Sequence, residues 1–225
     1  MTSDAWSRAL ALLPDLLAAL LTGVWMTITV TVGAFFVSLA LGLVFAACRT
    51  SSSRVLHAIT YVYVELFRAV PVLTQLFIIY FGLAAIGIRF NPVPAAILGF
   101  GLNGGAYLTE VFRSGILAIH RGQTEAAMSL GMPRLMTLRV IVLPQASRIV
   151  LPSLANFAIG LLKETSLASA VAAPELSFQA KLLVDKTFLT TQIYILVAML
   201  YLCMSLPLSQ LARILERRAA RGRRA

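Results

Sequence analysis

The sequence predicts an all-α integral membrane protein: five transmembrane helices, with a short cytoplasmic helix between the third and the fourth. Three observations carry this. Of the 225 residues, 59% are hydrophobic and only 12% are charged, whereas a soluble domain carries about 25% charged residues. The apolar residues lie in long uncharged runs rather than in short amphipathic pieces, and a helix needs only about 20 of them to cross the bilayer core. The basic residues gather in alternate connections between those runs.

The elements follow in order within a single transmembrane domain, 1–225. The first run, 16–48, holds no charged residue and no histidine, so it is long enough to span while tilted. The second span, 55–88, contains the uncharged stretch Ala69 to Ile88, and the third, 90–112, contains Phe90 to Thr109. Arg89 and the turn signal Asn91-Pro92-Val93-Pro94 divide them. The fourth, 149–174, is interrupted near its middle by Lys163 and Glu164. The fifth, 187–212, is uncharged apart from its flanks, and Pro207 is expected to kink its end. A loop, 113–147, and a basic tail, 213–225, complete the chain. Asp4, Arg8 and Asp15 near the start do not match a cleaved secretory signal, so no cleavage is expected. Cys48 and Cys203 lie in different runs without metal-type spacing and read as buried, unpaired thiols.

Orientation follows from the basic residues, which favour the cytoplasmic side. With the amino terminus outside, the inside holds Arg49, Arg54, Arg113, Arg121, Arg134, Arg139, Arg148 and the tail residues Arg213, Arg217, Arg218, Arg221, Arg223 and Arg224. The outside then holds only Arg8, Arg89, Lys181 and Lys186. Thirteen against four places the carboxyl terminus in the cytoplasm. The same sidedness accounts for the net charge of +10. No basic stripe interleaved with aromatics is present, so nucleic acid is not an expected partner, and the tail reads as an anchor to anionic membrane lipid.

The loop departs in composition from everything around it. Gly122 and Gly131 bracket the segment Gln123-Thr124-Glu125-Ala126-Ala127-Met128-Ser129-Leu130, and Pro133 follows. Gly122 is an acceptable N-cap, which would put Glu125 at the third helical position, where a carboxylate meets free N–H groups and the positive end of the dipole. Gly131 suits the left-handed conformation that ends a helix, and Pro133 prevents resumption. Ala126 and Ala127 leave a face of little bulk that another protein surface can approach. The plain alternative is a surface helix joining two spans.

Glu125-Ala126-Ala127, Gly131, Ile141 and Leu143-Pro144 stand at the full spacing of the EAA loop, and the chain resembles the permease subunits of type I ABC importers. Further stretches are similar to the polar amino-acid uptake subfamily: Glu65 to Phe77, Ala106 to Arg113 and Lys163 to Ser169. Ala69 and Val70 stand where glycine and threonine are usual in that subfamily, and His120 where proline is common. The resemblance implies a bacterial inner (cytoplasmic) membrane location and a second permease subunit, the same chain or a paralogous one. It also implies two cytoplasmic ATPase subunits and an extracytoplasmic substrate-binding protein. The loop helix would then be a coupling helix seated in a cleft of the ATPase, with Gly122, Glu125, Ala126, Ala127, Met128, Leu130 and Gly131 as the contact residues. The chain carries no Gly-x-x-x-x-Gly-Lys-[Ser/Thr] sequence, so it is expected to bind no cofactor itself, while ATP and Mg are used by the partner ATPase.

A charged side chain at the centre of a span costs about 2.5–3.5 kcal/mol on insertion scales, so the charges within spans are not expected to face lipid. Glu65 with Arg68, Glu110 at the end of the third span, and Lys163 with Glu164 are the pathway candidates. Gln75, Asn103, Thr165 and Ser166 could add hydrogen bonds to a substrate. Glu65 and Arg68, like Glu110 and Arg113, are three apart, so a structural ion pair is the alternative for each. Lys163 and Glu164 point about 100° apart on a helix, so at least one needs a partner beyond its own helix, or the pair joins the two permeases. Glu164 favours a substrate with a cationic side chain. Other readings are the same machinery carrying another small solute, and a passive channel. No catalytic or metal residues are expected, since His57 and His120 are the only histidines and neither has His-Glu-x-x-His spacing.

Overall fold

In lipid an apolar run satisfies its backbone only as a helix, and the computed structural model, which describes residues 2–51 and 53–221, has no strand among them. Helix α1 (Thr2–Ala11) leads into α2 (Leu13–Thr50), which has a proline in its first turn. At 1.5 Å per residue, the 38 residues of α2 reach roughly 57 Å. Helix α3 (Arg54–Ala69) starts on Ser53, whose hydroxyl accepts from the Leu56 N–H, and stops before Pro71. Helix α4 (Val72–Phe77), a π turn at Ile78–Gly82 and α5 (Leu83–Ala85) continue it at an angle of 104°.

Helix α6 (Pro92–Leu117) also opens on a proline. The segment towards the other end of the chain begins with α7 (Arg121–Ser129) and α8 (Arg134–Thr137), then runs through a π turn at Leu138–Val142 into α9 (Leu143–Glu164). A 3-10 turn (Thr165–Val171), α10 (Leu176–Thr187) and α11 (Thr190–Arg221) finish the fold. Helix α11 continues through Pro207, so the expected kink does not end it. Residues 222–225 of the expected basic tail lie outside the described residues.

Among the described residues three helical stretches are long and apolar enough to cross a membrane, Leu13–Thr50, Arg134–Val171 and Thr190–Arg217, and the bent pair α3 and α4–α5 adds a fourth. Helix α6 is long enough at 26 residues but is not among them, because glycines and Asn103 dilute its apolar character. Those glycines are the packing seam. Gly101, Gly104 and Gly105 of α6 lie against Val37, Ser38 and Leu41 of α2, and Gly42 of α2 lies against Leu108 and Phe112 of α6. Small residues let membrane helices approach closely where no hydrophobic force drives them together. The Ser38 hydroxyl, on this seam, bonds back to the Ala34 carbonyl at 2.7 Å and reaches the Gly101 carbonyl at 3.3 Å. As a result α6 is the central helix, with α2 along one side and α3, α4 and α9 also packed on it.

Two buried ties complete the scaffold. Gly23 of α2 lets the backbone of Leu176 come close enough for the Leu176 N–H to bond Thr27 Oγ1 at 3.1 Å. Beside it, the fully buried carboxylate of Glu175 caps α10, accepting from the Ser177 and Phe178 N–H groups at 2.9 and 2.8 Å and from the Tyr201 hydroxyl of α11 at 3.0 Å. A charge out of water needs this full set of donors. Both cysteines are free, but Cys203 is exposed on α11 rather than buried, and Cys48 is intermediate.

Candidate functional site

The short loop helix exists, with a different start. Its N-cap is His120, whose Nδ1 accepts from the Gly122 N–H at 3.1 Å. An imidazole acceptor thus does the work expected of a small capping residue, and Glu125 falls at the fifth helical position rather than the third, beyond the free N–H groups of the first turn. The other end is as the spacing predicts. Gly131 has φ +79° with open space around it, and the Met132 N–H reaches back to the Ala127 carbonyl at 3.1 Å.

The two adjacent alanines of α7, about 100° apart around the helix, differ in burial. Ala127 is buried, and its small side chain lets α7 lie close on α8 and the π turn, whereas Ala126 is exposed. Glu125 is exposed, Met128 half-exposed, and Leu130 is 84% exposed. An apolar side chain so bare at the tip of a rod, flanked by exposed Leu135 and Met136, is a surface without a partner in the single chain.

The rod joins α9 through the π turn. Pro144 has no N–H to continue the helical ladder, and the Leu143 N–H bonds instead to the Leu138 carbonyl five residues back. The Gln145 side chain donates to the Ile141 carbonyl at 2.9 Å, inside the same turn. The π turn and Pro144 thus lie between α7 and the long helix α9, within a stretch, Arg134–Val171, that runs on as one helix.

The pathway candidates divide into two groups. Lys163 and Glu164 are exposed at the end of α9, where the helix tightens into the 3-10 turn. Glu65 and Arg68 are exposed on α3, and neither makes an ion pair among the described residues, so the intrahelical pairing does not form there. It does form at Glu110 and Arg113, at 2.8 Å, and Glu110 also faces Arg49 of α2 at 3.8 Å. The Arg49 guanidinium lies 5.8 Å from the centre of the Tyr61 ring, so this cluster joins α2, α3 and α6.

The second group is engaged with the backbone. Pro71 lacks the N–H that would bond the Phe67 carbonyl, and two amides replace it: Gln75 Nε2 at 2.8 Å and Asn103 Nδ2 at 2.7 Å. Gln75 Nε2 also donates to the Val70 carbonyl at 2.7 Å. Bonds of this kind between membrane helices contribute about 0.6 kcal/mol each on average, but an unmet carbonyl in hydrocarbon costs several times that. Thr165 is fully buried with its hydroxyl on the Leu162 carbonyl, and Ser166 bonds back to the Lys163 carbonyl. The donors of Gln75 and Thr165 and one N–H of the Asn103 amide, assigned to a solute from the sequence, are thus held by the protein. The sequence reading missed Glu175, which caps α10 through the Ser177 and Phe178 N–H groups and takes a further donor, Tyr201 of α11, that only the fold supplies.

The bent segment and the end of the α9 stretch meet. Val72 and Leu76 of α4 share one apolar cluster with Leu167, Ala168 and Val171 of the 3-10 turn, together with Val30 and Phe100. Beyond its break at Pro71, α4 thus packs on the 3-10 turn that carries on from α9, next to the exposed Lys163 and Glu164.

Long apolar helices with an exposed, capped rod between two of them are the architecture of a membrane component. The chain belongs to the family of inner membrane components of binding-protein-dependent transport systems, which matches residues 38–221, and it is accordingly a multi-pass permease subunit of an ABC transporter in the inner membrane. It is 39% identical over 198 residues to the probable amino-acid ABC transporter permease protein YckA of Bacillus subtilis (strain 168), covering 88% of each chain. It is 37% identical to the L-cystine transport system permease protein TcyB of the same organism, over 88% of this chain and 86% of that one. It is 35% identical to the glutamine transport system permease protein GlnP of Escherichia coli (strain K12), over 88% and 92%. Among solved structures, an amino acid ABC transporter crystallised with histidines superposes with a TM-score of 0.88 at 33% identity, over 92% of this chain and 96% of that one. The inward-facing MetNI methionine ABC transporter, at 18% identity and a TM-score of 0.68 over 89% and 98%, shares the fold.

Proposed function

We propose that this permease imports a polar amino acid, with a cationic side chain favoured, and that separate ATPase subunits drive it through α7. The observation that carries the coupling role is the rod itself: capped by His120, stopped at Gly131, packed inward through Ala127 and bare outward at Ala126, Met128 and Leu130. Gly122, Glu125 and Gly131 complete the contact set. The relatives named for glutamine, cystine and amino acids support the substrate class.

In this reading α2, the bent pair α3 and α4–α5, α6, α9 and α11 are five spans, with the amino terminus outside and α7 and the carboxyl terminus in the cytoplasm. Burial of α6 by α2, α3, α4 and α9 supports its place as a span despite its glycines. Two ATPase subunits use ATP and Mg, a second permease, identical or paralogous, completes the pathway, and an external binding protein delivers the solute. ATPase closure moves the rod and, through the π turn before Pro144, shifts α9 between two arrangements.

Lys163, Glu164 and Ser166, with Glu65 and Arg68, line the pathway. The exposed carboxylate of Glu164, at the junction of α9 and the 3-10 turn, meets the cation of the substrate. The test is uptake by the full complex in proteoliposomes, with a panel of labelled amino acids competing. Glu164→Gln is expected to raise KM for a cationic amino acid about tenfold, a loss of about 1.4 kcal/mol, with little change for a neutral one. Unchanged affinity and preference would remove Glu164 from the pathway, and uptake without ATP would turn the reading towards a channel.

A further inference from the structure

We infer that Gln75 and Asn103 are positioning residues for transport: their amides hold the elbow between α3 and α4 and bind no solute. The geometry has one cause. Pro71 breaks the helix and orphans the Phe67 carbonyl, and the amides of Gln75, from α4, and Asn103, from α6, converge on that same oxygen at 2.8 and 2.7 Å. Gln75 closes the joint further by donating to the Val70 carbonyl, so both of its bonds lie within the elbow. Its side chain is 6% exposed, and its Oε1 has no partner among the described residues. Nearby, the Tyr63 hydroxyl donates to the Leu102 carbonyl at 2.7 Å, adding a second tie from α3 to α6 just before Asn103.

The elbow decides where α4 goes. A proline alone leaves the direction after it open over a range of angles, because it removes a bond without supplying another. Three amide bonds from two helices select one angle, here 104°. At that angle Val72 and Leu76 pack on Leu167, Ala168 and Val171, the turn that follows Glu164. The amides therefore set the pose in which the bent helix packs on the turn that ends the α9 stretch, and their loss should slow the transport cycle while leaving the solute's contacts in place.

The distance part of the test stands on the fold alone, and the uptake part rests on the transport function proposed above. Spin labels are placed at Val62→Cys on α3 and Ile86→Cys just past α5, which are 62% and 72% exposed, in the complete complex after replacement of Cys48 and Cys203. One narrow distance distribution is expected in the parent, and a broadened or displaced one in Gln75→Leu. In uptake, Gln75→Leu is expected to lower the maximal rate about tenfold, equal to about 1.4 kcal/mol, with KM held within about twofold, the signature of a step other than solute binding. Should that variant fail to assemble, Asn103→Ser removes one donor from Phe67 and keeps both Gln75 bonds, and the same comparison is made with it. An unchanged distance distribution, or a raised KM at unchanged maximal rate, overturns the inference. Absence of uptake by the parent complex would count against the transport function instead, and leave the distance result to decide the elbow.

Discussion

Gly131→Val is expected to reduce coupled uptake by about tenfold or more while the permease still folds and reaches the membrane. Gly131 sits at φ +79°, a conformation that costs an ordinary L-residue roughly 1–2 kcal/mol and is a genuine outlier for a β-branched one. Nothing lies within 4 Å of the position a Cβ would take, so the penalty is purely one of backbone conformation and does not propagate into the core. What it disturbs is local: the Gly131 N–H on the Met128 carbonyl and the Met132 N–H on the Ala127 carbonyl, which together end the rod. A frayed end displaces Leu130 and loosens the path from α7 to α8. Uptake and ATP hydrolysis measured together in proteoliposomes check this: hydrolysis should survive while uptake falls. Gly131→Asn, which tolerates the left-handed region better, should fall between the two.

Gly104→Val is expected to act the opposite way, on folding before function. A Cβ at Gly104 would clash with Ser38 Oγ of α2 and come within 2.6 Å of the Phe157 ring of α9. Neither neighbour can move easily. Ser38 is fully buried and bonded to the Ala34 carbonyl, and Phe157 is stacked on Tyr107 with ring centres 5.5 Å apart. Overpacking of this kind costs about 1–3 kcal/mol, a large part of a typical total stability of about 5–15 kcal/mol. Thermal unfolding in detergent should drop by several degrees, or the variant should vanish from the membrane fraction. Gly160→Ala is the control, because nothing lies within 4 Å of that site, and it should behave as the parent does.

These two glycines also mark how much was legible in the sequence. Gly131 could be read as a helix stop because the signal is local: a glycine just past a periodic segment, with Pro133 behind it. Gly104 could not, since its role depends on Ser38, 66 positions away in the numbering, and on Phe157. The break at Lys163 and Glu164 was visible as a charged pair inside an apolar run. The elbow at Pro71 was half visible: the proline is plain in the sequence, but the amide that α6 supplies from Asn103 is a matter of tertiary packing.

His120 and Glu175 show two further limits. Capping preferences favour small residues, so Gly122 looked like the cap, yet an imidazole nitrogen two residues earlier accepts the same N–H. Glu175, which stands just after an uncharged run, drew no reading from the sequence, while in the fold it is fully buried among donors from α10 and α11. The caps themselves are local, a side chain on an N–H two or three residues on, but neither His120 nor Glu175 is a favoured capping residue, and the Tyr201 bond to Glu175 is placed by the fold.

The account depends on α7 facing the cytoplasm and touching an energy-supplying partner, and a single cysteine at its tip tests that most directly. With Cys48 and Cys203 replaced, Leu130→Cys in the intact complex is predicted to react with a membrane-impermeant maleimide in inside-out vesicles but not in right-side-out cells. It is also predicted to crosslink to the ATPase subunit, with a yield that changes when nucleotide is added. Labelling from the outside, or labelling from the inside with no crosslink to any ATPase, would contradict the account.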